Sequence, residues 1–267
     1  MTDKVQTGAA ILDIKNATVF RKHNKVFNNL SLELKSGEST AILGPNGAGK
    51  TTFLKLLTRE LYPVVKPDSH LRIFGNDRVN IWQLRERIGV VSHEFQSAYE
   101  TLATGLDVVI SAWFGSVGLH AHNQVSAAHI TQARDLMEEL RISDLQEKPF
   151  LHLSTGQQRR LLLARALMHQ PEVLIFDEPT NGLDMSAGFQ LLNDIRKFCK
   201  RGVTLILVTH HIQEIIPEIE RVIFLKNGEV VGDGKKEQQV SSKNISRLYD
   251  YPIQVNLQNG YYTANPA

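Results

Sequence analysis

Ala41-Ile42-Leu43 runs without a break into Gly44-Pro45-Asn46-Gly47-Ala48-Gly49-Lys50-Thr51, and Thr51 to Leu61 (TTFLKLLTREL) follows with helical periodicity. Few folds accommodate that order. A glycine-rich loop between a buried strand and a helix start fits GxxxxGK[ST], in which successive backbone N–H groups and the positive end of the helix dipole cradle phosphate oxygens. In that frame Lys50 reaches the β- and γ-phosphates, the Thr51 hydroxyl ligates Mg²⁺, and Thr52 continues the cradle into the first helical turn. The competing reading is a chance glycine-rich turn, and the flanking strand and helix weigh against it. By itself the loop means a nucleoside triphosphate site, which kinases and GTPases also carry.

A second segment supplies what such a loop needs. Val173-Leu174-Ile175-Phe176 is a continuous apolar run of the kind that fills a buried parallel strand, and it ends in Asp177-Glu178. Ligands of open α/β sheets bind at that end of a strand. Asp177 is placed to hold Mg²⁺ through water, and Glu178 to polarise the water that attacks the γ-phosphate in line. Solvated acids at a strand end are the alternative, and the upstream phosphate loop makes it the weaker one.

The remaining segments predict an α/β core with additions. Ile11 to Leu43 alternates in short apolar runs that read as strands and hairpins, Leu71 to Phe74 and Ile88 to Val91 read as further strands, and VTLILVT (Val203 to Thr209) as another buried one. Asp107 to Lys148 reads mainly as helix and interrupts the alternation, so a helical arm from about residue 98 to 152 is expected as an insertion. Past Gly234 the chain turns polar (KKEQQVSSKN), and Lys235-Lys236 reads as solvated linker. Ile253 to Tyr262 then reads as a hairpin on the Asn259-Gly260 turn.

Composition excludes more than it names. Lys plus Arg total 30 against 28 Asp plus Glu in 267 residues, a net charge of +2, too small to argue for nucleic acid or anionic lipid as a partner. Cys199 is alone and forms no internal disulfide, and MTDKVQTGAAIL lacks the basic start and apolar core of a secretory signal, so a cytoplasmic location is expected. A membrane span needs about 18 consecutive apolar residues. The nearest approach, Val108 to Leu119, is twelve uncharged residues with Ser111, Ser116 and two glycines among them, so service to a membrane would pass through a partner chain.

Leu153-Ser154-Thr155-Gly156-Gln157 precedes QRRLLLARAL, and DEPTNGLD follows after about twenty residues, with GPNGAGKTT far upstream. In that order these motifs strongly resemble the ATP-binding cassette (ABC) ATPases, whose signature is LSxGQ, over Ile11 to Gly234. The resemblance implies a P-loop NTPase with a RecA-like core, an N-terminal antiparallel β subdomain and the helical arm, occupying residues 11–235 ahead of a tail at 236–267. It implies ATP and Mg²⁺ as ligands and ATP hydrolysis as the reaction. Ser154, Gly156 and Gln157 would face a γ-phosphate held by the other protomer; locally, Ser154 as no more than a helix N-cap is the alternative. Asp184 matches the D-loop, and His210 the switch histidine, with His211 competing by one position. Two copies, or this chain and a homologous subunit, would pair head to tail around two ATP molecules.

This sequence departs from the family pattern twice. Four residues after Gly89, where the family usually has glutamine, stands His93, with Gln96 three further on. His93 is a candidate to hydrogen-bond the metal's water. For the aromatic that stacks on adenine, Phe20 lies one residue from the expected register, where Arg21 stands; Phe20 as a core strand residue and Arg21 as the base cover both remain open. His120, His122 and His129 read as surface residues of the arm rather than a metal cluster, and Trp113 and Phe114 as arm core rather than a partner anchor. The family reading divides in two. One is an importer-type transport subunit, peripheral on the cytoplasmic face and docked on an integral-membrane permease, resembling the importer ATPases for iron chelates, cobalamin or molybdate. The other is a soluble non-transport ABC ATPase of repair, cluster assembly, translation or gene regulation.

Overall fold

The computed structural model describes residues 8–99 and 102–267; Met1–Thr7, in the opening segment, and Glu100 and Thr101, in the expected arm, lie outside the described residues. The chain forms two compact units, Met1–Ile81 with Thr204–Ala267, and Trp82–Val203.

The first unit holds two sheets that flank the phosphate loop. Ala10–Arg21 and Asn24–Lys35 pair antiparallel with Ile14 opposite Leu32, and His70–Ile73 adds on the other side with Ile73 opposite Leu12. Phe27, Leu30, Leu32 and Leu34 are buried while most of the residues between them are exposed, the period-two pattern of a sheet covered on one face. Thr40–Leu43 is buried at every residue and lies between two parallel neighbours, Thr204–Thr209 and Arg221–Lys226, with Leu43 opposite both Thr209 and Phe224. Strands covered on both faces read as unbroken apolar runs, which is why VTLILVT was legible as one. Glu229–Lys235 completes this sheet antiparallel to Arg221–Lys226.

The end of the chain is more structured than its polarity suggests. In place of a solvated linker, residues after Gly234 form the helices Lys236–Gln239 and Ser242–Tyr249, the second capped by the Ser241 hydroxyl, which accepts from the Asn244 N–H. Lys236 is 7% exposed and its Nζ donates to the Pro217 carbonyl at 2.8 Å, so this lysine is a packed residue, its pKa pushed down by burial. Ile245 and Leu248, three apart, are the buried pair that turns a polar stretch into an amphipathic helix. The hairpin forms as expected from Ile253–Gln258 and Tyr261–Pro266, with Asn259 (φ 52°) and Gly260 (φ 81°) making a two-residue turn in which both central residues are left-handed.

In the second unit Ile88–Val91 pairs parallel with Val173–Asp177, Val91 opposite Phe176. The helix Thr155–Leu167 comes so close to the first strand that a Cβ on Gly89 would stand 2.5 Å from the Ala166 carbonyl oxygen. The arm contains the helices Gly105–Ile110 and Ala127–Glu139, with capping boxes at Thr104/Asp107 and Ser126/His129, and a 3₁₀ turn at Ser111–Phe114. It is less helical than expected: Gly115 and Gly118 sit at φ 57° and 74°, and the 115–126 stretch is turn and irregular chain. Trp113 is 37% exposed rather than arm core: its ring lies at the surface, stacked on His129 with ring centroids 4.9 Å apart and edge-on to His169, beyond the arm, at 4.6 Å. Among the described residues no helix is long and apolar enough to cross a membrane.

Candidate functional site

The first unit carries the phosphate loop at the end of Thr40–Leu43. Gly44 lies where a Cβ would stand 2.1 Å from the Leu225 carbonyl oxygen, so no other residue fits. Gly47 and Gly49 adopt φ 82° and 105°, and at Gly47 nothing lies within 4 Å of where a Cβ would point, leaving the concave loop open there. Lys50, 7% exposed, arches back over the loop, its Nζ donating to the carbonyls of Gly44 at 2.8 Å and Pro45 at 3.1 Å.

The helix that follows, Lys50–Leu57, begins at Gly49 with no side-chain cap and no acidic residue in its first turn. Elsewhere Ser92, Thr104, Ser126, Ser154, Asp184 and Ser241 cap helices with their own oxygens. An α-helix leaves its first N–H groups without intrahelical partners, and here the protein supplies no acceptor from a capping side chain. That is the arrangement an anion completes, so the residues present fit a phosphate.

His210 follows Thr204–Thr209 in the same unit, and the Thr209 carbonyl accepts from the Gly44 N–H at 3.3 Å, tying the end of this strand to the start of the phosphate loop. The rings of His210 and His211 stand 3.8 Å apart; the His211 N–H donates to Thr209 Oγ1 at 2.9 Å, and the His210 carbonyl accepts from the Tyr249 hydroxyl at 2.7 Å. Phe20 is 41% exposed, which removes its reading as a core residue, and Arg21 beside it is exposed as well.

The second unit carries the acids and the signature. Val173–Phe176 is buried, and Asp177 and Glu178 emerge half-buried at its end. Glu178 has φ 49°, a left-handed conformation that costs an L-residue roughly 1–2 kcal/mol. The turn that imposes it is held by the Asn181 N–H on the Glu178 carbonyl at 3.2 Å and the Leu183 N–H on that of Thr180 at 3.0 Å. Such strain collects at working sites. Ser154 caps Thr155–Leu167 by accepting from the Gln157 N–H, while Gln157 Oε1 accepts from the Ser154 N–H at 3.0 Å. Asp184 caps Met185–Lys200, its Oδ1 accepting from the Ala187 N–H at 2.8 Å. A Cβ on Gly156 would stand 2.8 Å from that of Ala187, and one on Gly182 would lie 4.0 Å from Thr155 Cγ2. The structure therefore brings the signature and D-loop together, with Ser154, Thr155, Gly182 and Asp184 exposed.

His93 is exposed in the first turn of the short helix His93–Gln96. Gln96 is nearly buried, and its Nε2 donates to Gln158 Oε1 at 2.6 Å; Gln158 Nε2 in turn donates to the Phe150 carbonyl at 2.9 Å. Gln96 is thus wired to the signature helix, a connection across 62 residues that no local pattern announces. Beside it the Arg165 guanidinium lies 4.7 Å over the Phe95 ring, its pKa pushed down by burial and partly restored by Tyr99.

A left-handed glycine loop with an arching lysine at an uncapped helix start, together with a buried strand that ends in paired acids, makes this chain a P-loop nucleoside triphosphatase of mixed α/β fold. The profile of the ABC transporter family matches residues 27–181. YlmA, an ABC transporter ATP-binding protein of Bacillus subtilis (strain 168), is 30% identical over 92% of this chain and 93% of its own length. The hemin import ATP-binding protein HmuV of Aliivibrio fischeri is 32% identical over 85% of each. Among solved structures, cbiO1 of Clostridium perfringens, part of the ABC transporter complex cbiONQ, is 26% identical with a TM-score of 0.72 over 90% of this chain and 94% of that one. A dimeric ATP-binding cassette in a post-hydrolysis state with ADP and Pi is 27% identical with a TM-score of 0.70 over 84% and 98%. The chain belongs to the ABC transporter family and is an ATP-binding, ATP-hydrolysing subunit of it.

Proposed function

We propose that this subunit powers import: two copies, or one copy with a homologous subunit, pair head to tail at the cytoplasmic face of a membrane and drive a separate integral-membrane permease. The observation that carries the nucleotide chemistry is the uncapped helix Lys50–Leu57 beneath the open glycine loop. The import direction is supported by the hemin import relative, and the permease by cbiO1, which is part of a transporter complex. These weigh against the soluble, non-transport alternative.

In the proposed mechanism residues 11–235 form the working cassette and 236–267 a tail. The N–H groups of Asn46, Gly47 and Gly49–Thr52 and the Lys50 ammonium bind the phosphates, and exposed Phe20 or Arg21 covers the adenine. Bound Mg²⁺ would offset the charge of the β- and γ-phosphates; the Thr51 hydroxyl and Asp177 are the residues to hold it, with His93 as an outer contact to its water. Glu178 orients the attacking water and draws on its proton, and His210 stabilises the charge that develops on the transferring γ-phosphoryl group. The products are ADP and phosphate. Ser154, Gly156 and Gln157 are supplied by the other copy, and Asp184 contacts it near its phosphate loop. This division is what the resemblance to the ABC cassettes implies, and the dimeric form of a related cassette supports the pairing. ATP closes the pair, and hydrolysis opens it. No nucleic-acid partner is proposed.

The test is an affinity capture of tagged Glu178→Gln from detergent-solubilised native membranes with ATP and Mg²⁺ present. A stoichiometric polytopic membrane protein is the expected companion. Recovery of the homodimer alone, or of soluble partners alone, overturns the transport reading.

A further inference from the structure

The loop that joins Thr204–Thr209 to Arg221–Lys226 begins with His210 and is held from the C-terminal side along its length. At its start the Tyr249 hydroxyl donates to the His210 carbonyl at 2.7 Å. In its middle, Ile212–Glu214 packs against the hairpin strand Tyr261–Pro266, whose Tyr262 is buried. Further on, the Lys236 ammonium donates to the Pro217 carbonyl, and Gly260 approaches Pro217 so closely that a Cβ there would stand 3.1 Å from its Cγ. The helix that carries Tyr249 is anchored separately: Lys226 Nζ donates to the Arg247 carbonyl at 2.9 Å and to Asp250 Oδ1 at 2.6 Å.

The His210 carbonyl reorients only with the φ and ψ angles around it, so holding its peptide plane narrows the ψ range of His210 and with it the directions open to the His210 Cα–Cβ bond. The other edge of the same peptide plane is held as well, by the His211 N–H on Thr209 Oγ1. Tyr249 therefore controls where the imidazole begins its reach. We propose that Tyr249 is a positioning residue for hydrolysis, its hydroxyl holding the His210 backbone so that the imidazole meets the γ-phosphate, and that the tail is by this bond a working part of the ATPase. The inference rests on the proposed role of His210.

The test compares Tyr249→Phe, His210→Ala, the double variant and Asp250→Asn in the full-length chain. Tyr249→Phe keeps the ring and removes one neutral hydrogen bond, so kcat should fall about three- to tenfold with KM for ATP within twofold of wild type. In the His210→Ala background the same change should have no further effect, because its only route to the chemistry is gone. Asp250→Asn weakens the helix anchor without touching the carbonyl and should leave kcat unchanged. In nucleotide-free protein, amide hydrogen exchange over residues 209–214 should quicken in Tyr249→Phe and stay as in wild type in Asp250→Asn. Wild-type kcat in Tyr249→Phe, an additive double variant, or an equal loss in Asp250→Asn would each overturn the proposal while leaving His210 in its role. Full activity in His210→Ala would instead remove the role of His210, and this inference with it.

Discussion

Glu178 is the residue in which function and stability pull in opposite directions. A carboxylate at a strand end is placed to work on water, yet the turn Glu178–Asn181 holds its backbone at φ 49°, a region glycine adopts freely and glutamate does not. The expected signature is a trade-off. Glu178→Ala and Glu178→Gly both delete the carboxylate and should both lose ATPase activity by at least about a hundredfold. They remove the same side-chain contacts, so their difference isolates the backbone: the left-handed penalty, less the extra unfolded-state entropy of glycine, predicts the glycine variant to be more stable by about 0.5–1 kcal/mol. Urea unfolding of the two variants side by side checks this. Equal midpoints would mean that the left-handed turn is not strained in solution.

The helix Thr155–Leu167 poses the corresponding question for an element, because Ser154 serves it twice. Its hydroxyl accepts from the Gln157 N–H as an N-cap, and in the proposed dimer it also faces a γ-phosphate of the other copy. Ser154→Ala should cost about 1 kcal/mol through the lost cap. Ser154→Asp separates the two duties, since aspartate caps as well as serine but sets a negative charge towards the phosphate. Its unfolding midpoint should match wild type while ATP-dependent activity is lost. If Ser154→Asp hydrolyses ATP normally, Ser154 is a cap and nothing more. The phosphate-loop helix shows the complementary choice, an N-terminus that lacks a side-chain cap and so keeps its N–H groups for a ligand.

For the assembled protein the decisive property is that each chain carries the phosphate loop, the acids and the signature once. If a complete site needs two chains, a variant that binds ATP but cannot cleave it should trap the pair. Glu178→Gln keeps the shape and removes the base, so light scattering should show its molar mass doubling on addition of ATP and Mg²⁺, and returning to the monomer value when nucleotide is removed. A monomer at saturating ATP would sink the head-to-tail arrangement. The capture experiment above extends the same variant to the permease.

Much of this protein can be read directly from the chain, and the legible parts share a cause. The strand, glycine loop and helix at residues 40–57, the buried strand ending in Asp177-Glu178, the cap at Ser154, and the Asn259-Gly260 turn are all contiguous, so backbone sterics and hydrogen bonds within a few residues suffice to specify them. Folding decided what depends on residues far apart. Gln96 reaches Gln158 across 62 positions, and Tyr249 reaches the His210 carbonyl across 39. The polar run after Gly234 became two helices because Ile245, Leu248 and the stem of Lys236 found a surface to cover, and Phe20 proved exposed although its strand is mostly core. Even the left-handed Glu178 carries no mark in its own chemistry, since glutamate has no preference for that conformation and the surrounding turn imposes it. Local chemistry named the motifs; long-range packing chose which side chains hold them in working position, because only a closed tertiary structure brings distant donors and acceptors within bonding distance.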